Sequence, residues 1–196
     1  VGPGGATAMF GVRPDVWCFG KVIGGGLPVG AFGASAEIMS NLAPLGDVYQ
    51  AGTLSGNPLA TAAGLAVLEQ LTPDAYEQLI ATATALADGI AAAFADAGVA
   101  VTVPRVGPLV GLFFGGHQPL DYDEARRAVD IGHYPRWFHG MLSRGIAMAP
   151  GPYEVLFPSL AHSEADIART VEAAREVAGE IAEVDTMGER AGSEGS

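Results

Sequence analysis

The first part of the chain combines glycine-bounded apolar runs with one helical repeat. The runs at 16–20 and 29–34 are flanked by glycine and proline, which predicts short strands. Further along, apolar residues recur at three- and four-residue steps behind Asn57 and Pro58, a good cap and first-turn pair. We therefore predict a helix over 58–71.

The second part of the chain mixes longer helical periods with short strands. Its predicted elements are a helix over 74–96, strands over 99–103 and 109–114, a helical segment over 123–143 broken near Gly132 and Pro135, strands over 146–149 and 155–157, and a last helix from Ser163 to about Val184. No apolar pattern follows, so we predict a disordered tail over 185–196. The pattern predicts the end of an α/β domain over 1–73 and a smaller α+β domain over 74–184.

Composition and charge narrow the class of protein. Of the 196 residues, 49% are hydrophobic, which is enough for a buried core, and the formal net charge is -12. That acidic balance repels nucleic acid and anionic membrane surfaces, so we exclude both as main partners. It also means that a phosphate or carboxylate ligand needs local donors, such as backbone N–H groups.

The cysteine content and the absence of export signals favour a cytosolic protein. Cys18 is the single cysteine, which excludes an intrachain disulfide. It lies in the apolar run VWCF, far in sequence from any histidine that could activate it, so we predict a buried small hydrophobe. No apolar run reaches about 18 residues and no basic-then-apolar signal opens the chain, so we predict neither a membrane span nor a signal peptide.

Lys21 lies in the glycine-rich stretch FGKVIGGGLPVGAFG. Glycines permit positive φ and the close approach of a planar ligand, which makes this a poor place for an ordinary surface lysine. The apolar neighbours Phe19, Val22 and Ile23 would favour the uncharged amine by desolvation, and an uncharged amine attacks carbonyl groups. A lysine that merely extends from a surface turn explains the same residues, so both interpretations stay open here.

A second motif, QAGTLSGNP, ends where the predicted 58–71 helix begins. The hydroxyls of Thr53 and Ser55, the N–H groups of Gly52 and Gly56 and the helix N-terminus together form a candidate phosphate cradle. An ordinary helix cap accounts for the same residue types.

The histidines and one aromatic stripe are the remaining candidates for a functional role. Three of the four histidines have no partner at metal-ligand spacing, so we predict no metal site. The fourth, His162, precedes the last helix, where a structural hydrogen bond explains it as well as catalysis does. Trp137, Phe138 and Met141 form an apolar stripe that is typical of a core.

A resemblance to a known family rests on three spans: GKVIGGGLPVGAFG, VYQAGTLSGNPLATAAGLAVL and RGIAMAPGPYEVLFPSLAHSEADI. Together they resemble glutamate-1-semialdehyde 2,1-aminomutases, relatives of the class III aminotransferases, over the chain up to about residue 184. Ordinary class III aminotransferases share a lysine and an SGNP-like turn, but usually not GGGLPVGAFG joined to QAGTLSGNP. The combination therefore favours the aminomutases.

The resemblance implies a fold, a cofactor and a set of site residues. The fold is the end of the large α/β domain of a type I pyridoxal-phosphate transferase, followed by a small α+β C-terminal domain. Pyridoxal 5'-phosphate is the implied cofactor, bound by Lys21 as a Schiff base. Thr53, beside Gly52, matches the threonine that reaches the cofactor phosphate across a homodimer interface. Glu154 matches a substrate-side glutamate, although YEVLFPS replaces the family's YEAGF-like motif.

The implied reaction moves an amino group within one small molecule. It converts glutamate 1-semialdehyde to 5-aminolevulinate for tetrapyrrole synthesis, with Lys21 as general base. The family's acidic residue under the pyridine nitrogen, its phosphate-binding loop and its stacking aromatic have no match in this chain, which opens at Val1 without methionine. We expect a fragment lacking roughly the N-terminal half and inactive alone. The sheet that would cover the apolar face of the 58–71 helix is then missing, so we expect that face to be exposed and to favour self-association. An ω-amino acid or ornithine-type transaminase and an inactive folding or dimerisation unit are the alternatives.

Overall fold

The computed structural model describes residues 1–193, which form two compact units, Val1–Tyr76 and the part from Glu77 onward. The elements of the first unit are helix α1 (Gly5–Phe10), strand β1 (Val16–Gly20), a 3₁₀ turn (Lys21–Gly24), strand β2 (Gly30–Ala34), helix α2 (Ala36–Met39) and helix α3 (Pro58–Leu68). Helix α4 (Pro73–Asp96) begins in the first unit and continues into the second. Both strands predicted for this part of the chain are confirmed.

Strands β1 and β2 form an antiparallel ribbon whose register pairs Cys18 with Phe32. Every residue of β1 is exposed. The prediction that Cys18 is a buried small hydrophobe is therefore wrong. A two-stranded ribbon has no layer of its own to cover its faces, so an apolar strand sequence does not ensure burial within the unit.

Helix α3 ends at Leu68, somewhat earlier than the predicted end at 71. The N–H groups of Gln70 and Leu71 bond to carbonyls three residues back, the tighter pattern that closes a helix. The buried residues of α3 are the small Ala60 and Gly64, whereas its leucines are exposed. The predicted exposure of apolar side chains on this helix is confirmed, and self-association stays a prediction.

The second unit adds short strands and longer helices. These are β3 (Val101–Thr102), β4 (Arg105–Val106), β5 (Leu109–Val110), β6 (Phe113–Phe114), α5 (Tyr122–Asp130), α6 (Tyr134–Ser143) and α7 (Glu164–Ser193). β3 pairs antiparallel with β6, and β4 with β5. The helical segment breaks between α5 and α6 as predicted, because Gly132 adopts a φ of 86° that glycine tolerates.

The second unit has a well-filled apolar core. Its fully buried large side chains are Trp137, Phe94, Ile90, Met141, Ile181, Val110 and Val177. The ring of Phe94 lies 5.5 Å from that of Phe114 and 5.4 Å from that of Trp137, measured between centroids. The prediction that the Trp137 stripe belongs to a core is confirmed.

Two predicted strands do not form in the described part of the chain. Residues 146–149 are irregular, and residues 155–157 contribute only a bridge between Leu156 and Val110, with N···O distances of 2.8 and 3.2 Å. These predictions were wrong. A strand needs a neighbour along its whole length to satisfy its N–H and C=O groups, and an apolar run does not supply that neighbour.

Helix α7 begins as predicted and continues further than predicted. The hydroxyl of Ser163 accepts a hydrogen bond from the Asp166 N–H at 3.2 Å, which caps the helix. The helix runs through Ser193, so the part of the predicted disordered tail over 185–193 is helical; residues 194–196 lie outside the described residues. This segment contains Glu, Met, Arg and Ala, which have high helix propensity without any apolar face.

Helix α4 is long and apolar enough, by length and composition, to cross a membrane. Its most apolar window has a mean hydropathy of 1.4, and 33% of that window is buried. The predicted absence of an uninterrupted apolar run of about 18 residues is a narrower statement, since Asp88 lies within this window. A single helix of this kind is weak evidence for a span, because the core helix of a soluble protein passes the same test. The α4 residues Ile90 and Phe94 are indeed fully buried in the core.

Candidate functional site

Lys21 follows β1 directly and begins the 3₁₀ turn. Its φ is 56°, and it is the one non-glycine residue with positive φ in the part of the chain that the structure describes. Such a backbone costs about 1–3 kcal/mol and persists only where its surroundings hold it. Lys21 is also the only lysine in the sequence, a signal that motif reasoning missed. Backbone strain and uniqueness together distinguish it from an ordinary surface lysine.

The apolar neighbours of Lys21 do not shield it within the first unit. Phe19 is 53% exposed and Val22 is 58% exposed. Lys21 is itself exposed. The expectation that these flanks desolvate the amine is therefore wrong for the chain as it stands, because the unit provides no further layer over the turn.

Gly52 and Thr53 lie in a groove beside the β1–β2 ribbon. Cys18 and Phe32 line one side of this groove, and the loop from Gln50 to Gly56 lines the other. Lys21 is not among the described residues that line this groove. The structure thus places the two candidate phosphate contacts together, next to the ribbon that ends at the lysine turn.

The hydrogen-bond donors available near Thr53 for a phosphate differ from those predicted. Asn57 Oδ1 accepts hydrogen bonds from the N–H groups of Leu59 and Ala60 at 3.0 and 3.2 Å. The N-terminal donors of α3 are therefore already paired, and their predicted part in a phosphate cradle is wrong. Across the described residues, the N–H groups of Gly52 and Thr53 and the Thr53 hydroxyl have no hydrogen-bond partner. These three donors fit an anionic oxygen.

Glu154 lies in the second unit, on a turn closed by a hydrogen bond from its N–H to the Gly151 carbonyl at 3.2 Å. The Tyr134 hydroxyl donates to the carbonyl of Ala149 at 2.7 Å, which fixes the start of the same segment. Burial, and then the negative charge of Glu154, raise the pKa of Tyr134 above its ordinary value. The Glu154 carboxylate therefore lies within electrostatic reach of a buried, protonated phenol.

His162, for which a structural and a catalytic role were both open, makes hydrogen bonds within its own turn. His162 Nδ1 lies 3.0 Å from both the N–H and the hydroxyl of Ser159, which closes the turn before α7. The N–H donation makes Nδ1 the acceptor and leaves the ring proton on Nε2. Among the described side chains, no group of three or more His, Cys, Asp or Glu is arranged to hold a metal ion.

Comparison with known families identifies the class of protein. The model of the family "Aminotransferase class-III" matches residues 1–180. The chain belongs to the class III aminotransferase family.

Curated relatives narrow the resemblance further. A glutamate-1-semialdehyde 2,1-aminomutase from Desulfosudis oleivorans is 49% identical over 175 residues, which is 89% of this chain and 41% of the relative. One from Dechloromonas aromatica is 51% identical over 175 residues, again 89% of this chain and 41% of the relative. The chain thus spans about two fifths of the length of the curated relatives that it matches. The resemblance to aminomutases read from the three sequence spans is confirmed.

Solved structures confirm the predicted α/β fold class. An omega-transaminase from Sphaerobacter thermophilus superimposes with a TM-score of 0.81 at 30% identity, over 92% of this chain and 41% of that one. A glutamate-1-semialdehyde aminomutase from Pseudomonas aeruginosa PAO1, in complex with PMP, does so with a TM-score of 0.79 at 28% identity, over 91% and 42%. The backbone is equally similar to both enzymes, so only the sequence separates an aminomutase from a transaminase.

Proposed function

We propose that this chain forms part of a glutamate-1-semialdehyde 2,1-aminomutase that uses pyridoxal 5'-phosphate. The reaction converts glutamate 1-semialdehyde to 5-aminolevulinate by moving an amino group within one molecule. The observation that carries the proposal is the placement of the only lysine at a positive-φ turn, in a chain about half identical to aminomutases. The domains at 1–73 and 74–184 are, in this proposal, the end of the cofactor-binding domain and the small C-terminal domain.

The residues present fit the cofactor in two respects. Lys21 Nζ is the only lysine amine in the chain that is available for covalent attachment. The N–H groups of Gly52 and Thr53 and the Thr53 hydroxyl, which have no partner within residues 1–193, suit phosphate oxygens, and they supply the local donors that a chain of charge -12 requires. When bound, pyridoxal phosphate supplies an electron sink for charge at the reacting carbon.

The remaining steps belong to side chains of this chain. Once it is released from the cofactor, Lys21 Nζ acts as general base and takes a proton from one substrate carbon. It then acts as general acid and returns the proton to the neighbouring carbon. Glu154, next to the buried Tyr134, contributes to substrate binding. In a homodimer Thr53 reaches the phosphate bound by the partner, and the enzyme acts in the cytosol on a small-molecule substrate.

A class III ω-amino acid or ornithine-type transaminase is the second candidate, favoured by the equally close superposition on an omega-transaminase. It would exchange amino groups between two substrates rather than within one. An inactive folding or dimerisation unit is the third.

The test uses a hybrid protein, made from the Dechloromonas aromatica relative by replacing its matched region with this chain. We expect the hybrid to form 5-aminolevulinate from glutamate 1-semialdehyde without an added amino acceptor. Lys21→Ala is expected to reduce turnover at least about 100-fold, because it removes the general base. Arg13→Ala, at an exposed basic residue of the same unit, is the matched control and is expected to leave turnover unchanged.

Three outcomes contradict the proposal. Full turnover in Lys21→Ala would show that the lysine is not the general base. Transfer of an amino group to added 2-oxoglutarate, without formation of 5-aminolevulinate, would indicate a transaminase. A hybrid that folds but does neither indicates an inactive unit. The 196-residue chain alone is expected to yield no product.

A further inference from the structure

Gly64 occupies the interior of α3, where glycine is unfavourable. Glycine in a helix interior costs about 1 kcal/mol relative to alanine. The rest of α3 is rich in alanine and leucine, which are good helix formers. The position therefore requires a reason outside the helix itself.

The reason lies in the contact between α3 and the turn that begins at Lys21. A Cβ atom added to Gly64 would lie 2.0 Å from the carbonyl oxygen of Ile23. A Cβ atom added to Gly25 would lie 2.5 Å from the carbonyl oxygen of Ala63, and Gly25 has a φ of 59°. Two glycines thus let the backbone of the turn and the backbone of the helix approach from both sides, closer than any side chain permits.

This contact restrains the backbone at Lys21. The turn is short, and hydrogen bonds from the N–H of Gly25 to Val22 O and from the N–H of Leu27 to Gly24 O, each 3.0 Å, make it one compact piece. The positive φ of Lys21 needs such a restraint, because a non-glycine residue leaves that conformation when its surroundings allow. A shift of the turn at Ile23 therefore moves Lys21.

Helix α3 also begins at the loop that carries Gly52 and Thr53, capped by Asn57. One rigid helix thus contacts the lysine turn near its middle and the candidate phosphate loop at its start. We propose that Gly64 is a positioning residue, which sets the place of Lys21 relative to Gly52 and Thr53. The inference rests on the proposed function, because it assigns Lys21 and these donors to one cofactor.

At other glycines within helices, an added Cβ atom would have different neighbours. A Cβ at Gly89 or Gly140 would meet valine side chains, whereas a Cβ at Gly179, in α7, has nothing within 4 Å. Gly179→Ala is therefore a matched control, which makes the same chemical change in a helix without a close neighbour. Gly24→Ala is an intermediate case, because its Cβ would lie 3.2 Å from the Cβ of Val29, so that a shift of only a few tenths of an ångström is required.

The experiment measures covalent capture at Lys21. The hybrid protein is incubated with pyridoxal phosphate and reduced with borohydride, and the labelled peptide is quantified by mass spectrometry. Because Lys21 is the only lysine in this chain, capture in its peptide reports on one amine. Far-ultraviolet circular dichroism of the same samples reports whether the protein is folded.

We expect Gly64→Ala to slow capture at Lys21 at least about tenfold while the dichroism is retained, since misplacing a reacting group by about 1 Å costs up to about 100-fold. Gly24→Ala is expected to show a smaller loss and Gly179→Ala none. Equal capture in Gly64→Ala and the unsubstituted hybrid overturns this inference alone. No capture at Lys21 in the unsubstituted hybrid overturns the proposed function with it.

If Gly64→Ala does not fold, the Gly24→Ala variant tests the inference instead. A loss of capture in folded Gly24→Ala, beside unchanged Gly179→Ala, supports positioning of Lys21 by the backbone of the turn. Unchanged capture in Gly24→Ala then overturns it.

Discussion

The two compact units bury their large apolar side chains to very different extents. In the unit from Glu77 onward, Trp137 is 1% exposed and contacts Phe94 within a continuous core. In the unit up to Tyr76, the buried apolar side chains are alanines, and Trp17 is 37% exposed. The second unit is held by side-chain packing, and the first by backbone contacts at glycines.

The difference bears on the surroundings of the candidate site residues. Lys21, Gly52 and Thr53 all lie in the unit that buries little apolar surface. Apolar burial contributes roughly 25 cal/mol per Å², so a unit without it has little to offset the strain of a positive-φ lysine. The candidate site therefore depends on precise backbone contacts, such as that of Gly64, more than on a core of its own.

The largest expected effect compares the two tryptophans of the chain. Trp137→Ala is expected to lower the free energy of unfolding by about 3–5 kcal/mol, because it leaves a cavity in a filled core. Trp17→Ala makes the same change at a partly exposed strand residue and is expected to cost less than about 1 kcal/mol. Urea unfolding of the full chain, followed by far-ultraviolet circular dichroism, measures both. Similar losses for the two variants would remove the contrast between the units.

An intermediate effect is expected at Arg144, which joins α6 to α7. Its guanidinium lies 2.6 Å from a carboxylate oxygen of Glu176 and 2.6 Å from one of Glu180, and its side chain is only 23% exposed. Arg144→Ala is expected to cost about 1–2 kcal/mol in the same urea experiment, because hydrogen bonds to charged groups exceed the usual contribution of surface ion pairs.

Arg175→Ala is the control for Arg144. Arg175 pairs with Glu172 one turn away on the same helix and, within the part of the chain that the structure describes, has no ion pair with another element. Such a pair contributes about 0.3–0.5 kcal/mol. A loss for Arg175→Ala as large as that for Arg144→Ala would show that the bridge between helices adds nothing to the second unit.

The smallest expected effect is pH-dependent and concerns the start of α7. Hydrogen bonds from the hydroxyl and then the N–H of Ser163 lower the pKa of Asp166 below its ordinary value. A carboxylate whose pKa is lower in the folded state stabilises the protein above its unfolded pKa, and this stabilisation is lost as pH falls through the folded value.

Asp166→Asn is therefore expected to lower the melting temperature slightly at neutral pH, and the difference should shrink below about pH 4. Asp88→Asn, at an exposed position of α4, makes the same charge change away from a helix start and is the control variant. A difference for Asp166→Asn that persists unchanged into acid would contradict the assignment.

Local signals predicted much of the fold. Asn57 and Pro58 mark the start of α3, Gly132 separates α5 from α6, and Ser163 starts α7, because caps and glycine turns depend on neighbouring residues. The period around Trp137 likewise predicted its burial. In these cases the interactions that decide the structure lie within a few residues of the chain.

Non-local contacts explain what was predicted wrongly. The runs at 146–149 and 155–157 have strand composition, but they gain only one bridge, because pairing requires a distant partner. Cys18 lies in an apolar strand and is exposed, because a ribbon needs a covering layer that neighbouring residues do not provide.

For the candidate site, the sequence by itself determined which residues are candidates for chemistry: a single lysine among glycines and a threonine before a capped helix. Only the tertiary structure decided how they are arranged. It pairs the N-terminal donors of α3 with Asn57, gives the N–H groups of Gly52 and Thr53 no partner among the described residues, and packs Gly64 against the lysine turn. Residue type sets what a side chain can do, whereas its placement depends on contacts between segments far apart in the chain.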